Sequence, residues 1–211
     1  MFVLKYPNHI TFGHLRALQE QVLDVWAYPY LTYARYHLLI SLTDDKASTW
    51  IEMIMTQDIL IIRPNLIARI HSLCEGENDS IAIMATVSAE LFHAVDGYDW
   101  VGFYRVVAPD LLKIGPYQGW HGCLSIPFHR GVCGAAARHK TIQLVDDVDR
   151  FEGHIACSSS TKSELVIPCF NKGGRLLGVL DIDSDQLNFF KWQDADQLDQ
   201  MLRQLFQNAS P

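Results

Sequence analysis

Trp100-Val101-Gly102-Phe103-Tyr104-Arg105 is where the chain changes period, and its reading decides the fold. Up to this point apolar residues recur at helical spacing; from here they alternate. Trp100, Gly102 and Tyr104 share one face of a predicted strand, and Val101, Phe103 and Arg105 share the other. Upstream, Pro64 suits a first helical turn, and Leu66, Ile67, Ile70 and Leu73 form one stripe before Gly76 ends the helix. A second helix, capped by Asp79 or Ser80, carries Ile83, Met84, Val87, Leu91 and Phe92 at the same spacing and stops at Asp96-Gly97. Cys74, between the two, reads as a half-buried structural thiol.

Downstream, Asp110 sits in a turn and residues 111–114 form a strand that Gly115-Pro116 is expected to break. Ala135-Ala136-Ala137 is a short run of good helix formers, so Cys133 should lie near a helix start. A strand at 142–145 and a polar turn at 146–151 lead to Gly153-His154-Ile155-Ala156-Cys157. Strands at 165–170 and 176–182 pair about a turn at 171–174, which puts Glu164, Asp181 and Asp183 at strand ends, with Asp181 and Asp183 on one face. The last helix is expected to use Asp194 as its cap, with Gln197 three residues on and Leu198, Met201, Leu202, Leu205 and Phe206 as its apolar stripe. The expected fold is α+β: one antiparallel sheet of five or six strands flanked by helices. Residues 64–211 form this domain. Residues 1–63 read as an N-terminal extension, with helix-like patterns at 11–26 and 47–57 and a strand-like one at 33–42; it is expected to pack on the domain or serve an oligomer interface such as that of a homodimer, a second functional module being the alternative.

The chain has 211 residues and is 49% hydrophobic, enough for a packed core. Lys and Arg total 17 against 24 Asp and Glu, and the resulting charge of -7 argues against a nucleic-acid or other polyanion partner. Residues 1–18 show neither a basic segment followed by an apolar run nor a membrane-spanning run, so the protein is expected to be cytoplasmic and to have no membrane partner. Five cysteines, an odd number, argue against a permanent disulfide framework. Several His and Cys residues lie near one another in sequence, but there is no CxxC and the gaps fit no standard zinc pattern, so no metal is expected from spacing.

The remaining reading of the cysteines is redox chemistry. Cys123, Cys133 and Cys157 lie between strand-like segments and are followed by Glu164, Asp181 and Asp183. A thiolate can attack an oxidised substrate, and a second thiol can resolve the product as a disulfide. A substrate oxygen that leaves as water needs protons, and crowded carboxyl groups retain them at neutral pH because like charges raise one another's pKa.

The runs Trp100-Val101-Gly102-Phe103-Tyr104, Gly115-Pro116-Tyr117-Gln118-Gly119, Arg130-Gly131-Val132-Cys133-Gly134, Gly153-His154-Ile155-Ala156-Cys157, Ser163-Glu164 and Gly178-Val179-Leu180-Asp181-Ile182-Asp183 together resemble the free methionine-(R)-sulfoxide reductases, which are built on a GAF domain. The resemblance covers residues 64–206. Nine residues separate Cys123 from Cys133 and 23 separate Cys133 from Cys157, as in that family. Tyr117 stands where Phe is usual, and Trp120-His121-Gly122 precedes the first cysteine in place of more typical residues.

The resemblance implies that Cys157 attacks the sulfoxide sulfur, releases methionine and is left as a sulfenic acid that Cys123 resolves. Thioredoxin would reduce the disulfide, with Cys133 able to exchange with Cys123, and no cofactor would be needed. Glu164, Asp181 and Asp183 would surround the sulfoxide oxygen. Trp100 and Tyr104 offer an aromatic face for the methyl group; core packing is the alternative for both, and only the resemblance favours the pocket for Trp100. His154 either lowers the Cys157 pKa or simply bonds backbone. A GAF-type sensor without turnover and a structural domain with buried thiols are the competing functional classes.

Overall fold

The computed structural model describes residue 62 and residues 64–155 and 158–210, within a compact unit Ile59–Pro211. The expectations for the first 61 residues, and those for Ala156 and Cys157, lie outside the described residues. Two helices, α1 (Pro64–Leu73) and α2 (Ser80–Ala94), precede a hairpin of β1 (Trp100–Ala108) and β2 (Leu111–Gly119). Then come β3 (Ser125–Pro127), α3 (Gly131–His139), β4 (Gln143–Val145), a second hairpin of β5 (Ser163–Phe170) and β6 (Leu176–Ser184), and α4 (Trp192–Phe206). All six strands lie in one antiparallel sheet of order β3-β2-β1-β6-β5-β4, as the α+β reading expected.

The period-two alternation decides what each face of the sheet buries. Val101 and Phe103 of β1, Leu165 and Ile167 of β5, and Leu180 and Ile182 of β6 point to one side. They pack there against Leu66 and Ile70 of α1, Ile83, Val87 and Leu91 of α2, and Leu198, Leu202 and Phe206 of α4. Trp100, Tyr104, Val166 and Val179 point to the other side, where α3 supplies Val132, Cys133, Ala136 and Ala137. Gly134 lets α3 settle close, since a Cβ there would stand 2.6 Å from the Pro127 carbonyl oxygen. Asp79 caps α2 as expected, its carboxylate accepting from the Ile81 and Ala82 amides.

Two local expectations are corrected. Gly115-Pro116 does not end β2: Tyr104 pairs with Ile114 and Gly102 with Tyr117, which leaves Gly115 and Pro116 together opposite Phe103. A bulge accepts a proline because its missing N–H costs no ladder bond there, so the strand continues through it. Ser125–Pro127 adds the short edge strand β3, paired with β2. Asp194 does not cap α4, which starts at Trp192 after Lys191. Asp194 is instead fully buried in the first turn, and its Oδ1 accepts a hydrogen bond from the Ile62 amide at 3.1 Å. The acceptor thus serves a backbone donor 132 residues away.

Candidate active site

Strand register assembles the acids. Across the three central strands, Trp100 of β1 lies opposite Asp183 of β6, which lies opposite Glu164 of β5. The next residues on this face are Gly102, Asp181 and Val166 in the same cross-strand order. Glu164, Asp181 and Asp183 therefore project from the face covered by α3. Glu164 and Asp183 lie near strand ends as expected, whereas Asp181 sits further inside β6.

α3 lowers Cys133 into the same space, with its Sγ 4.0 Å from Glu164 Oε1. A cavity of about 30 Å³ is lined by Cys133, Glu164, Asp181 and Asp183, together with His154 and Thr161 of the connecting segment. That volume admits a group about the size of a water molecule. Glu164 and Asp181 are 7% and 6% exposed, so the cavity holds carboxyl groups almost entirely removed from water.

Burial sets their protonation. It pushes the Glu164 carboxyl well above the usual range, and the charges of Asp181 and Asp183 add to the effect. Asp183 is raised in the same direction, first by burial and then by Asp181 and Asp99, with a hydrogen bond from Thr161 opposing. Asp181 rises less, to about 6, because hydrogen bonding from Cys133 and Glu164 offsets part of the burial. The cluster thus carries protons at neutral pH. Burial likewise raises the Cys133 thiol well above its ordinary value, reinforced by Asp181 and Glu164, so it is a neutral thiol. Burial lowers His154, leaving an uncharged imidazole.

The remaining cysteines separate by place. Cys169 lies in the core on the opposite face of the sheet, and Cys74 is buried beside α1, more deeply than expected; burial raises the pKa of both thiols. Cys123 is half-buried and disulfide-bonded, while Cys133 is free. Cys157 falls outside the described residues.

Trp100 and Tyr104 do not line the cavity but form a stack beside it. Their rings lie 5.8 Å apart, and Tyr117 continues the stack on Trp100 at 5.4 Å. The segment carrying Cys123 rests on this stack. Trp100 Nε1 donates to the Trp120 carbonyl at 2.9 Å, and a Cβ at Gly122 would stand 2.9 Å from Tyr104 Oη. Trp120 itself projects outward, 84% exposed. Thr161, which bonds Asp183, was not anticipated: an isolated Thr between Ser-rich and strand-like segments carries no chemical signature.

The fold, a six-stranded antiparallel sheet with α3 closing a polar cavity on one face, is that of a GAF domain, and the model of the GAF domain family matches residues 79–210. Among individual proteins, the GAF domain-containing protein A of Dictyostelium discoideum is 45% identical over 141 residues, spanning 67% of this chain and 88% of the relative. The free methionine-R-sulfoxide reductase of Escherichia coli is 40% identical over 135 residues, spanning 64% of this chain and 81% of that enzyme. The X-ray structure of the free methionine-R-sulfoxide reductase of Neisseria meningitidis in complex with its substrate superimposes with a TM-score of 0.63 at 41% identity, covering 68% of this chain and 87% of that one. The chain belongs to the GAF domain family and, within it, to the free methionine-R-sulfoxide reductases.

Proposed function

We propose that this protein reduces free methionine-(R)-sulfoxide to methionine by thiol chemistry carried by residues 64–211. The observation that carries the reading is the cluster of Glu164, Asp181 and Asp183, in which burial keeps Glu164 and Asp183 protonated, around a cavity about the size of one oxygen-centred group. A sulfoxide oxygen has that size and accepts hydrogen bonds. A neutral carboxyl donates to it where an ionised one would repel it.

In the proposed cycle the Cys157 thiolate attacks the sulfoxide sulfur. One proton from the carboxyl cluster goes to the sulfoxide oxygen, which transfers to the Cys157 sulfur as the substrate's sulfur–oxygen bond and the new sulfur–sulfur bond break; methionine leaves and Cys157 is a sulfenic acid. The Cys123 thiol attacks that sulfur, water departs and a disulfide forms; a dithiol protein of the thioredoxin type then returns two electrons and two protons. The disulfide at Cys123 supports this assignment. Cys133, free and buried against Glu164, is placed to exchange with Cys123 during recycling. Trp100 and Tyr104 seat the Cys123 segment beside the cavity. The extension at residues 1–63 is assigned to packing or to a homodimer contact rather than to chemistry.

The test is methionine release from each separate epimer of free methionine sulfoxide, and from a peptide containing the R epimer, with a thioredoxin system supplying electrons. Turnover of the free R epimer alone supports the reading. Equal rates on the peptide, or no turnover of any substrate, overturn it and favour a non-catalytic sensor. Within the same assay, Cys157→Ser abolishes even the first turnover, whereas Cys123→Ser releases one methionine per protein and then stops.

A further inference from the structure

The spacing of His and Cys along the chain gives no reason to expect a metal, but the folded cluster does. Cys133 Sγ and one carboxylate oxygen each from Glu164 and Asp181 all lie within 4.8 Å of one another, and all three residues are buried. One sulfur and two oxygens from three separate elements are a donor set suited to zinc. Zinc–sulfur and zinc–oxygen bonds of about 2.3 and 2.0 Å at a tetrahedral angle place the two donors about 3.5 Å apart. Cys133 Sγ and Glu164 Oε1 stand at 4.0 Å, so closing this pair on an ion is a movement of about half an ångström.

A second observation points to an occupant. Asp181 is 6% exposed and lines the cavity, yet its Oδ1 has no hydrogen-bond partner among the described residues. A buried oxygen left in that state destabilises the fold unless something in the cavity satisfies it. The cavity of about 30 Å³ has room for a single ion among these donors.

We propose that Cys133, Glu164 and Asp181 form a binding site for a thiophilic divalent cation, zinc fitting the donors best, and that an ion bound there excludes the small-molecule substrate. Ion binding stands on the geometry alone; exclusion of substrate rests on the function proposed above. The site is inhibitory, because it ties up the carboxyl groups and the thiol that the reductase reaction needs free.

The experiment uses the full chain, stripped with chelator, dialysed and kept without reductant, and titrated with cobalt(II) and zinc(II) chloride. Cobalt at this site produces a thiolate-to-metal absorption band at one equivalent, which zinc displaces. Cys133→Ser removes the band, and Asp181→Asn weakens zinc affinity at least tenfold while both variants keep the wild-type circular dichroism. Absence of the band in the wild-type protein overturns the site whether or not either variant folds, as does a band that survives Cys133→Ser. Free methionine sulfoxide is then added to the cobalt protein. Loss of the band supports exclusion; a band that forms but does not respond to methionine sulfoxide overturns exclusion while leaving the ion site standing.

Discussion

Replacing Asp181 with Asn should make the protein more stable and less active, and the stability gain should depend on pH. The fold raises the Asp181 carboxyl from 3.8 to about 6 because it is buried. Between those values the native protein holds a proton that the unfolded chain has released, so unfolding loses a proton. Stability from this group is therefore complete below the unfolded value of about 4 and is lost as pH rises through about 6. At about 1.36 kcal/mol per pH unit, the carboxylate costs the fold up to about 3 kcal/mol at pH 8. Asparagine keeps the size and an acceptor oxygen but cannot ionise. With about 2–4 °C per kcal/mol for a chain of this length, Asp181→Asn should raise the melting temperature by up to about 12 °C at pH 8. The difference should shrink to nothing near pH 4. Calorimetric scans of both proteins from pH 4 to pH 8 in chelating buffer measure it directly. A variant no more stable than wild type at pH 8, or a gain of equal size at pH 4, would refute the reasoning. Loss of methionine sulfoxide turnover alongside the gain is the expected exchange of stability for a strained polar site.

Other consequences follow from contacts already described. Gly122→Ala should push the Cys123 segment off the Tyr104 hydroxyl, which the new Cβ would meet at 2.9 Å. We expect slower disulfide formation after oxidation, followed by thiol counting, and a stability loss of about 1–3 kcal/mol in urea. Phe103→Ala removes a ring with no exposure from the face opposite the site, where it packs 5.8 Å from Phe206. Its cost should be about 3–5 kcal/mol in denaturant, with methionine sulfoxide turnover per folded molecule little changed. Trp100→Phe keeps an aromatic ring but removes the donor to the Trp120 carbonyl. A loss of about 0.5–1.5 kcal/mol is expected, together with faster proteolysis within the segment carrying Cys123.

Much of this molecule was readable before folding. The stripe of Leu66 and Ile70, the alternation beginning at Trp100 and the hairpin around residues 171–174 depend on spacing within one element, and the backbone converts spacing into a face without outside help. Asp181 and Asp183 had to share a side of β6 for the same reason, and the resemblance named Cys133, Glu164, Asp181 and Asp183, which line one cavity. What the chain could not state locally depended on partners far away in sequence. Gly115-Pro116 reads as a strand end until Phe103 is placed opposite it and the pair becomes a bulge. Asp194 reads as a cap until the Ile62 amide arrives to claim it. Register across β1, β6 and β5 sets Asp183 between Trp100 and Glu164, and the packing of α3 brings the Cys133 sulfur to 4.0 Å from Glu164. Burial of these groups, reinforced by their proximity, raises the carboxyl pKa values, and the same arrangement supplies the donors of the proposed cation site. Both are properties of distances in space, which no periodicity along a single strand or helix encodes.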